Sequence, residues 1–133
     1  MDRSLPEQVR MRAERRCEYC HLPESALLLP FQLDHIIAEQ HGGPTSLANL
    51  GWSCLACNKR KGPNIASRDR LTKKLVPLFN PRRHKWLHHF EWDGPYLRGR
   101  TAIGRVTIAV LQINDPYAVE LRRSLMHEGV FSF

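Results

Sequence analysis

Two short stretches decide how this chain is read: Cys17-Glu18-Tyr19-Cys20 and Cys54-Leu55-Ala56-Cys57-Asn58-Lys59-Arg60-Lys61. Each holds two cysteines separated by two residues, the spacing of a zinc knuckle. Four cysteines could instead form two disulfides, or one pair could be a redox centre. Paired Cys-x-x-Cys units in a reducing compartment are more often metal ligands, and no βαβ context of a thioredoxin-like site surrounds the first pair. Two knuckles can converge four thiolates tetrahedrally on one zinc at about 2.3 Å each. The 33 residues between Cys20 and Cys54 must then form an excursion whose ends meet at the metal. Four thiolates leave no open coordination position, so Cys17, Cys20, Cys54 and Cys57 are expected to hold a structural zinc. Chemistry has to come from the excursion and its flanks.

Outward from the knuckles, the coarse pattern is strand, long loop, strand, helix. Gln32 to Ile37 reads as a strand and Gly42-Gly43-Pro44 breaks it. Leu50 to Ser53 reads as a second strand, and a short helix runs from Leu55 until Gly62-Pro63 stops it. Upstream, Ser4-Leu5-Pro6-Glu7 has the form of a capping box and predicts a helix of about twelve residues reaching Arg16. Downstream, Trp86 to Trp92 and Tyr96 to Gly99 flank Asp93-Gly94-Pro95 and predict a hairpin. Thr101 to Leu111 and Pro116 to His127 have helical spacing, the latter capped by Asn114 or Asp115. Trp86, Phe90, Trp92, Val106, Val110, Leu111 and Leu121 are expected as core, in preference to stacking of the aromatics on bases.

Within the excursion lie Asp34-His35 and Asn49, and Asn58 follows the last cysteine. His35 to Asn49 is 14 residues and Asn49 to Asn58 is 9. Together with Gly42-Gly43-Pro44, Asn49-Leu50 and Cys57-Asn58-x-x-Lys61, this arrangement resembles the HNH endonuclease family, in the variant where Asn replaces the last His. The resemblance implies an α+β fold with a ββα-metal (His-Me finger) core stapled by the four-cysteine zinc site. It further implies that His35 is the general base, that Asp34 and Asn58 supply oxygen ligands to a catalytic Mg²⁺ or Mn²⁺, and that Asn49 braces the loop orienting His35. Arg60 stands where stand-alone members often carry a histidine, so the implied metal shell is limited to Asp34 and Asn58. Cleavage of DNA one strand per site, leaving a 5′-phosphate, follows by the same analogy.

The residues support such chemistry independently. Phosphodiester hydrolysis needs a nucleophile activated near neutral pH and counter-charge on the phosphate, which a histidine and one hard cation supply. Neighbouring strand residues point to opposite faces, so for Asp34 and His35 to act together a bulge or strand end is expected at that dipeptide. Lys59, Arg60 and Lys61 are placed to hold phosphate oxygens. His21 and His41 are expected to be peripheral.

Charge narrows the partners. The net charge is +7, yet residues 59–85 hold ten basic side chains against one acid, Asp69, giving +9 there and −2 elsewhere. Self-repulsion on that scale is relieved by a polyanion, since each neutralised phosphate releases counterions. DNA, double-stranded, is the expected partner. The rival reading is a non-catalytic zinc-stabilised nucleic-acid-binding module, which the charge supports equally. A zinc-built protein-interaction module leaves the +9 segment unexplained. With 133 residues, 42% apolar content, no long apolar run and no secretory start at Met1-Asp2-Arg3-Ser4, one cytoplasmic domain without membrane contact is expected.

Overall fold

The computed structural model describes residues 3–131. Helix α1 (Leu5–Arg12) opens as the capping signal requires: the Ser4 hydroxyl accepts from the Glu7 amide at 3.3 Å, and Pro6 stands in the first turn. It ends four residues sooner than the sequence suggests. Glu14 and Arg15 turn left-handed, with φ of 56° and 58°, which reverses the chain so that Arg16 bridges to Pro23 and the first knuckle can close. Arg12 then donates to the carbonyls of Leu47 and Leu50 at 2.9 and 2.6 Å.

The central unit is an antiparallel hairpin followed by a helix. Strand β1 (Gln32–His35) pairs with β2 (Leu50–Ser53) in the register Asp34 to Gly51 and His35 to Leu50, and α2 (Leu55–Lys61) follows at once. β1 stops at His35, two residues before the predicted limit, so a strand end does fall at Asp34-His35, yet the two side chains still leave it on opposite sides. Every residue of β2 is buried, so its apolar run is the floor on which the first knuckle rests. Glu18 zips the two together, its amide donating to the Trp52 carbonyl and its carboxylate accepting from the Trp52 amide, both at 2.8 Å, while pairing with Arg82.

The basic segment contains a second hairpin that the sequence reading did not find, β3 (Ala66–Arg68) against β4 (Leu75–Pro77). A one-turn helix, α3 (Trp86–His89), replaces the predicted start of the third hairpin, which is β5 (Phe90–Asp93) with β6 (Tyr96–Gly99). The helical turn brings Trp86 and Phe90, four residues apart, to a ring separation of 5.0 Å, and lets Trp86 stack on His21 at 3.9 Å and donate its indole N–H to the Tyr19 carbonyl. A continuous strand would send Trp86 away from the knuckle. Helices α4 (Ala102–Leu111) and α5 (Pro116–His127) complete the fold, capped by the Thr101 hydroxyl and the Asp115 carboxylate. Helix α4 packs so closely on β6 and α3 that a Cβ at Gly104 would lie 2.0 Å from the His89 carbonyl oxygen. Of the predicted core, Phe90, Val106 and Leu111 are buried, and Trp86, Trp92, Val110 and Leu121 pack around them. Among the described residues no helix is long and apolar enough to cross a membrane.

The histidines between α3 and the preceding turn carry a pH signature. His84 Nδ1 accepts from the Asn80 amide at 2.9 Å, a bond only the neutral ring can make at that nitrogen. Burial, then Arg83, lowers the His84 pKa, and burial, His84 and His88 lower that of His89. Each folded-state value thus lies below the unfolded one of about 6.5, so this contribution to stability is intact above about pH 6.5 and is lost as pH falls toward the depressed values. His84→Asn keeps an acceptor near the Nδ1 position without a titrating ring. Melting curves at pH 7.5 and 5.5 should show a smaller acid-induced drop for that variant than for the wild-type chain. Equal drops would mean that His84 does not carry the effect.

Candidate metal cluster and catalytic face

The four cysteines are buried and come together from two local turns. In the first, the Cys20 amide points at Cys17 Sγ (3.5 Å) and the His21 amide bonds the Cys17 carbonyl (2.9 Å). In the second, Cys54 is the N-cap of α2 and its sulfur accepts from the Cys57 amide at 3.4 Å. All four sulfurs lie within 4.8 Å of one another. Cys20 and Cys54 are 3.8 Å apart, the edge of a tetrahedron with arms of about 2.3 Å and far too long for a disulfide. Crowding drives their ionisation apart. Hydrogen bonds from Cys17, Cys20 and Cys57 hold the Cys54 thiol far below its ordinary value, whereas hydrogen bonding with Cys17 foremost raises Cys20 and Cys57. A divalent cation that takes all four as thiolates removes this conflict, so the cluster could hold a zinc ion. Buried Arg122 lines the cavity beside Cys20, Cys54 and Cys57, with its Nη1 lacking a hydrogen bond among the described residues.

Asp34 and His35 leave β1 on opposite sides. Asp34 is 3% exposed and points inward, where one carboxylate oxygen accepts from the Tyr19 hydroxyl and the other from Lys61 Nζ at 3.2 Å. Burial, then the charge of Asp34, raises the Tyr19 pKa well above that of a free phenol, which keeps the hydroxyl protonated as a donor. His35 points outward. Its Nε2 lies 2.9 Å from Thr45 Oγ1 and 3.1 Å from a carboxylate oxygen of Glu39. Because a carboxylate can only accept, Nε2 is the donor to Glu39, and in the neutral ring that leaves the lone pair on Nδ1, which has no hydrogen bond among the described residues. Glu39 and Thr45 were not anticipated as site residues. Glu39 stands four residues after His35, and the 3₁₀ turn Glu39–His41 folds it back.

Asn49 clasps the loop that follows His35. Its amide accepts from the Ile37 amide and donates to the carbonyls of Ile37 and Pro44, all at 2.9 Å. Gly43 makes that clasp possible, since a Cβ there would sit 1.7 Å from the Ile37 carbonyl oxygen. Removing the clasp strands the Ile37 and Pro44 groups, which costs about 1–3 kcal/mol where water cannot replace it fully. Asn49→Ala should therefore lower stability by about 2 kcal/mol in chemical denaturation and speed amide exchange at Ile37. Unchanged exchange there would remove Asn49 from this role.

The structure corrects the reading of Arg60 and Lys61 as free phosphate contacts. Lys61 is 1% exposed, and its ammonium donates to Asp34, to the His35 carbonyl at 3.3 Å and to the Ile36 carbonyl at 3.0 Å. Arg60 ties α2 to the α4–α5 junction through Asp115 (2.8 Å) and the Gln112 carbonyl (3.1 Å). Both are cations whose nearest compensation is inside the fold, which spacing cannot disclose. Lys59 stays exposed, with Arg68, Arg70, Lys73, Lys74, Arg83 and Lys85, and none of them forms an ion pair among the described residues.

Asn58, half-buried on α2 one turn before Lys61, makes no side-chain hydrogen bond among the described residues. Each Asp34 oxygen keeps a second lone pair beside the bond it accepts. One carboxylate and one free amide oxygen are a hard donor set of the size that Mg²⁺ needs, since it retains most of its waters. These donor types suit a hard divalent cation, while the Asp34 carboxylate is buried and already accepts from Tyr19 and Lys61.

A buried four-cysteine cluster beside a β-hairpin and helix, with an outward histidine at the end of the first strand, defines a small α+β protein whose cysteines could hold zinc. Residues 17–64 match the family model described as HNH endonuclease, and that match points to a nuclease-type function on a nucleic-acid substrate. No curated protein and no solved structure matches the chain.

Proposed function

We propose that this protein is a metal-dependent HNH endonuclease that hydrolyses DNA phosphodiester bonds. The observation that carries the proposal is the orientation of His35: an imidazole held through Nε2 by Thr45 and Glu39, with Nδ1 unengaged, on a loop clasped by Asn49. In this reading His35 Nδ1 takes the proton of the attacking water. Glu39 and Thr45 fix the tautomer and the ring plane, and Asn49 holds the backbone beneath them. Tyr19 and Lys61 keep the Asp34 carboxylate aimed. Asp34 and Asn58 would hold Mg²⁺ or Mn²⁺, which supplies counter-charge to the phosphate and leaving oxygen. Cys17, Cys20, Cys54 and Cys57 hold a structural zinc that unites the knuckle, β2 and α2. The backbone of the substrate lies along the exposed cations, Lys59 among them.

The test is nicking of supercoiled plasmid by the purified full chain with Mg²⁺ or Mn²⁺, set against EDTA with zinc content checked in each sample. Relaxed circles that require the added metal support the proposal. Salt-sensitive binding without cleavage under either metal would replace it with the non-catalytic binding module.

A further inference from the structure

The β3–β4 hairpin has a tip that no part of the catalytic proposal uses. Its ladder starts at the Leu78 amide on the Ile65 carbonyl (2.9 Å), runs through Arg68 opposite Leu75, and closes with the Asp69 amide on the Lys74 carbonyl (2.8 Å). The closing loop is braced by Asp69. Asp69, 2% exposed, accepts from the Thr72 amide (3.0 Å) and hydroxyl (2.8 Å) and is gripped by both arms of Arg105 on α4 at 3.0 Å each. That grip sustains a left-handed Lys73, φ 67°, a conformation costly for a residue with a side chain. What the braced loop presents is Leu71, 73% exposed, framed by Arg68, Arg70, Lys73 and Lys74 with no exposed acid between them. Leu75, 74% exposed, lies just behind.

A single exposed leucine is ordinary on a protein surface; what sets Leu71 apart is its place at the apex of a braced tip with four exposed cations around it. Such a tip is unsuited to an apolar protein partner, which would bury four unpaired charges. Duplex DNA satisfies both features at once: phosphates take the cations, and an apolar wedge between base steps is shielded by the bases it parts. We propose that the β3–β4 tip is a duplex-binding wedge, with Leu71 entering a base step from the minor groove while Arg70 and Lys73 hold the flanking phosphates. The inference rests on the nucleic-acid reading above and adds to it a duplex substrate and a point of distortion. Position supports it: Ile65 and Leu78 at the hairpin base line the same cavity as Ile36, Ile37 and Lys61, beside the His35 loop. About five residues at roughly 3.3 Å each put the tip about 15 Å from that base.

The experiment uses short duplexes carrying 2-aminopurine at successive positions, whose fluorescence rises on unstacking, titrated with full-length protein without added Mg²⁺ at several salt concentrations. A several-fold rise confined to one register is expected, absent in Leu71→Ala, which should melt like wild type because that side chain is mostly exposed. Arg70→Ala with Lys73→Ala should reduce the slope of log affinity against log salt by about two, one phosphate each. If wild type binds duplex with a steep salt slope but no position brightens, and Leu71→Ala binds equally well, the wedge is wrong and the DNA reading stands. If wild type binds no duplex at any salt, both fall together.

Discussion

Cys54→Ser should leave a chain that neither retains zinc nor melts cooperatively, and a strong chelator should do the same to wild type. Structural zinc sites contribute about 10–16 kcal/mol, as much as or more than the about 5–15 kcal/mol that holds a typical domain together. Here the cluster sits where the first knuckle, β2 and α2 meet. Cys54 caps α2, Cys57 lies within it, and Cys17 and Cys20 belong to a knuckle zipped onto β2 through Glu18. Without metal, four buried sulfurs within 4.8 Å must share protons in an apolar setting. Native mass spectrometry should give one zinc per chain for wild type and none for the variant, with circular dichroism following the loss of structure. A metal-free wild-type chain that melts as sharply as the loaded one would end the structural role of the cluster.

The parts of the fold that local sequence determines were legible. Both knuckles, β2, α2, the second strand of the last hairpin and α5 lie where spacing and capping put them, because each depends on residues a few positions apart. The misses have longer-range causes. Helix α1 stops at Arg12 because the knuckle demands a reversal at Glu14 and Arg15, neither of which is a glycine to announce it. Ala66-Ser67-Arg68 and Leu75-Val76-Pro77 are too short to display alternation, so β3 and β4 were hidden inside a charge run. Trp86 reads as strand by its apolar neighbours and is helical because Tyr19 and His21, 67 and 65 residues earlier, take its indole. The site divides in the same way. The types and spacing of Asp34, His35, Asn49 and Asn58 stand out in the sequence, but the cation beside Asp34 and the carboxylate on His35 do not. A lysine at the end of a basic helix looks solvated until Asp34 is seen waiting beneath it. The feature that separates Lys61 from Lys59 is thus a partner 27 residues away.

His35→Ala should reduce plasmid nicking by about 10²–10⁴-fold, the range for a lost general acid or base, while zinc content, melting and duplex affinity stay near wild type. The split is expected from the geometry of β1. His35 faces outward, half-buried, and its partners Thr45 and Glu39 are surface residues that water can satisfy once the ring is gone. Asp34 faces inward against Tyr19 and Lys61, so Asp34→Ala would leave a buried ammonium unpaired and confound lost chemistry with lost fold. His35 is therefore the cleaner probe. A companion variant sharpens it: Glu39→Gln keeps an oxygen near Nε2 but removes the negative charge that selects its tautomer, and should slow nicking without abolishing it. If His35→Ala nicks as fast as wild type under the same metal, the water is activated elsewhere. If Glu39→Gln is silent while His35→Ala is dead, the base stands and the tautomer argument does not.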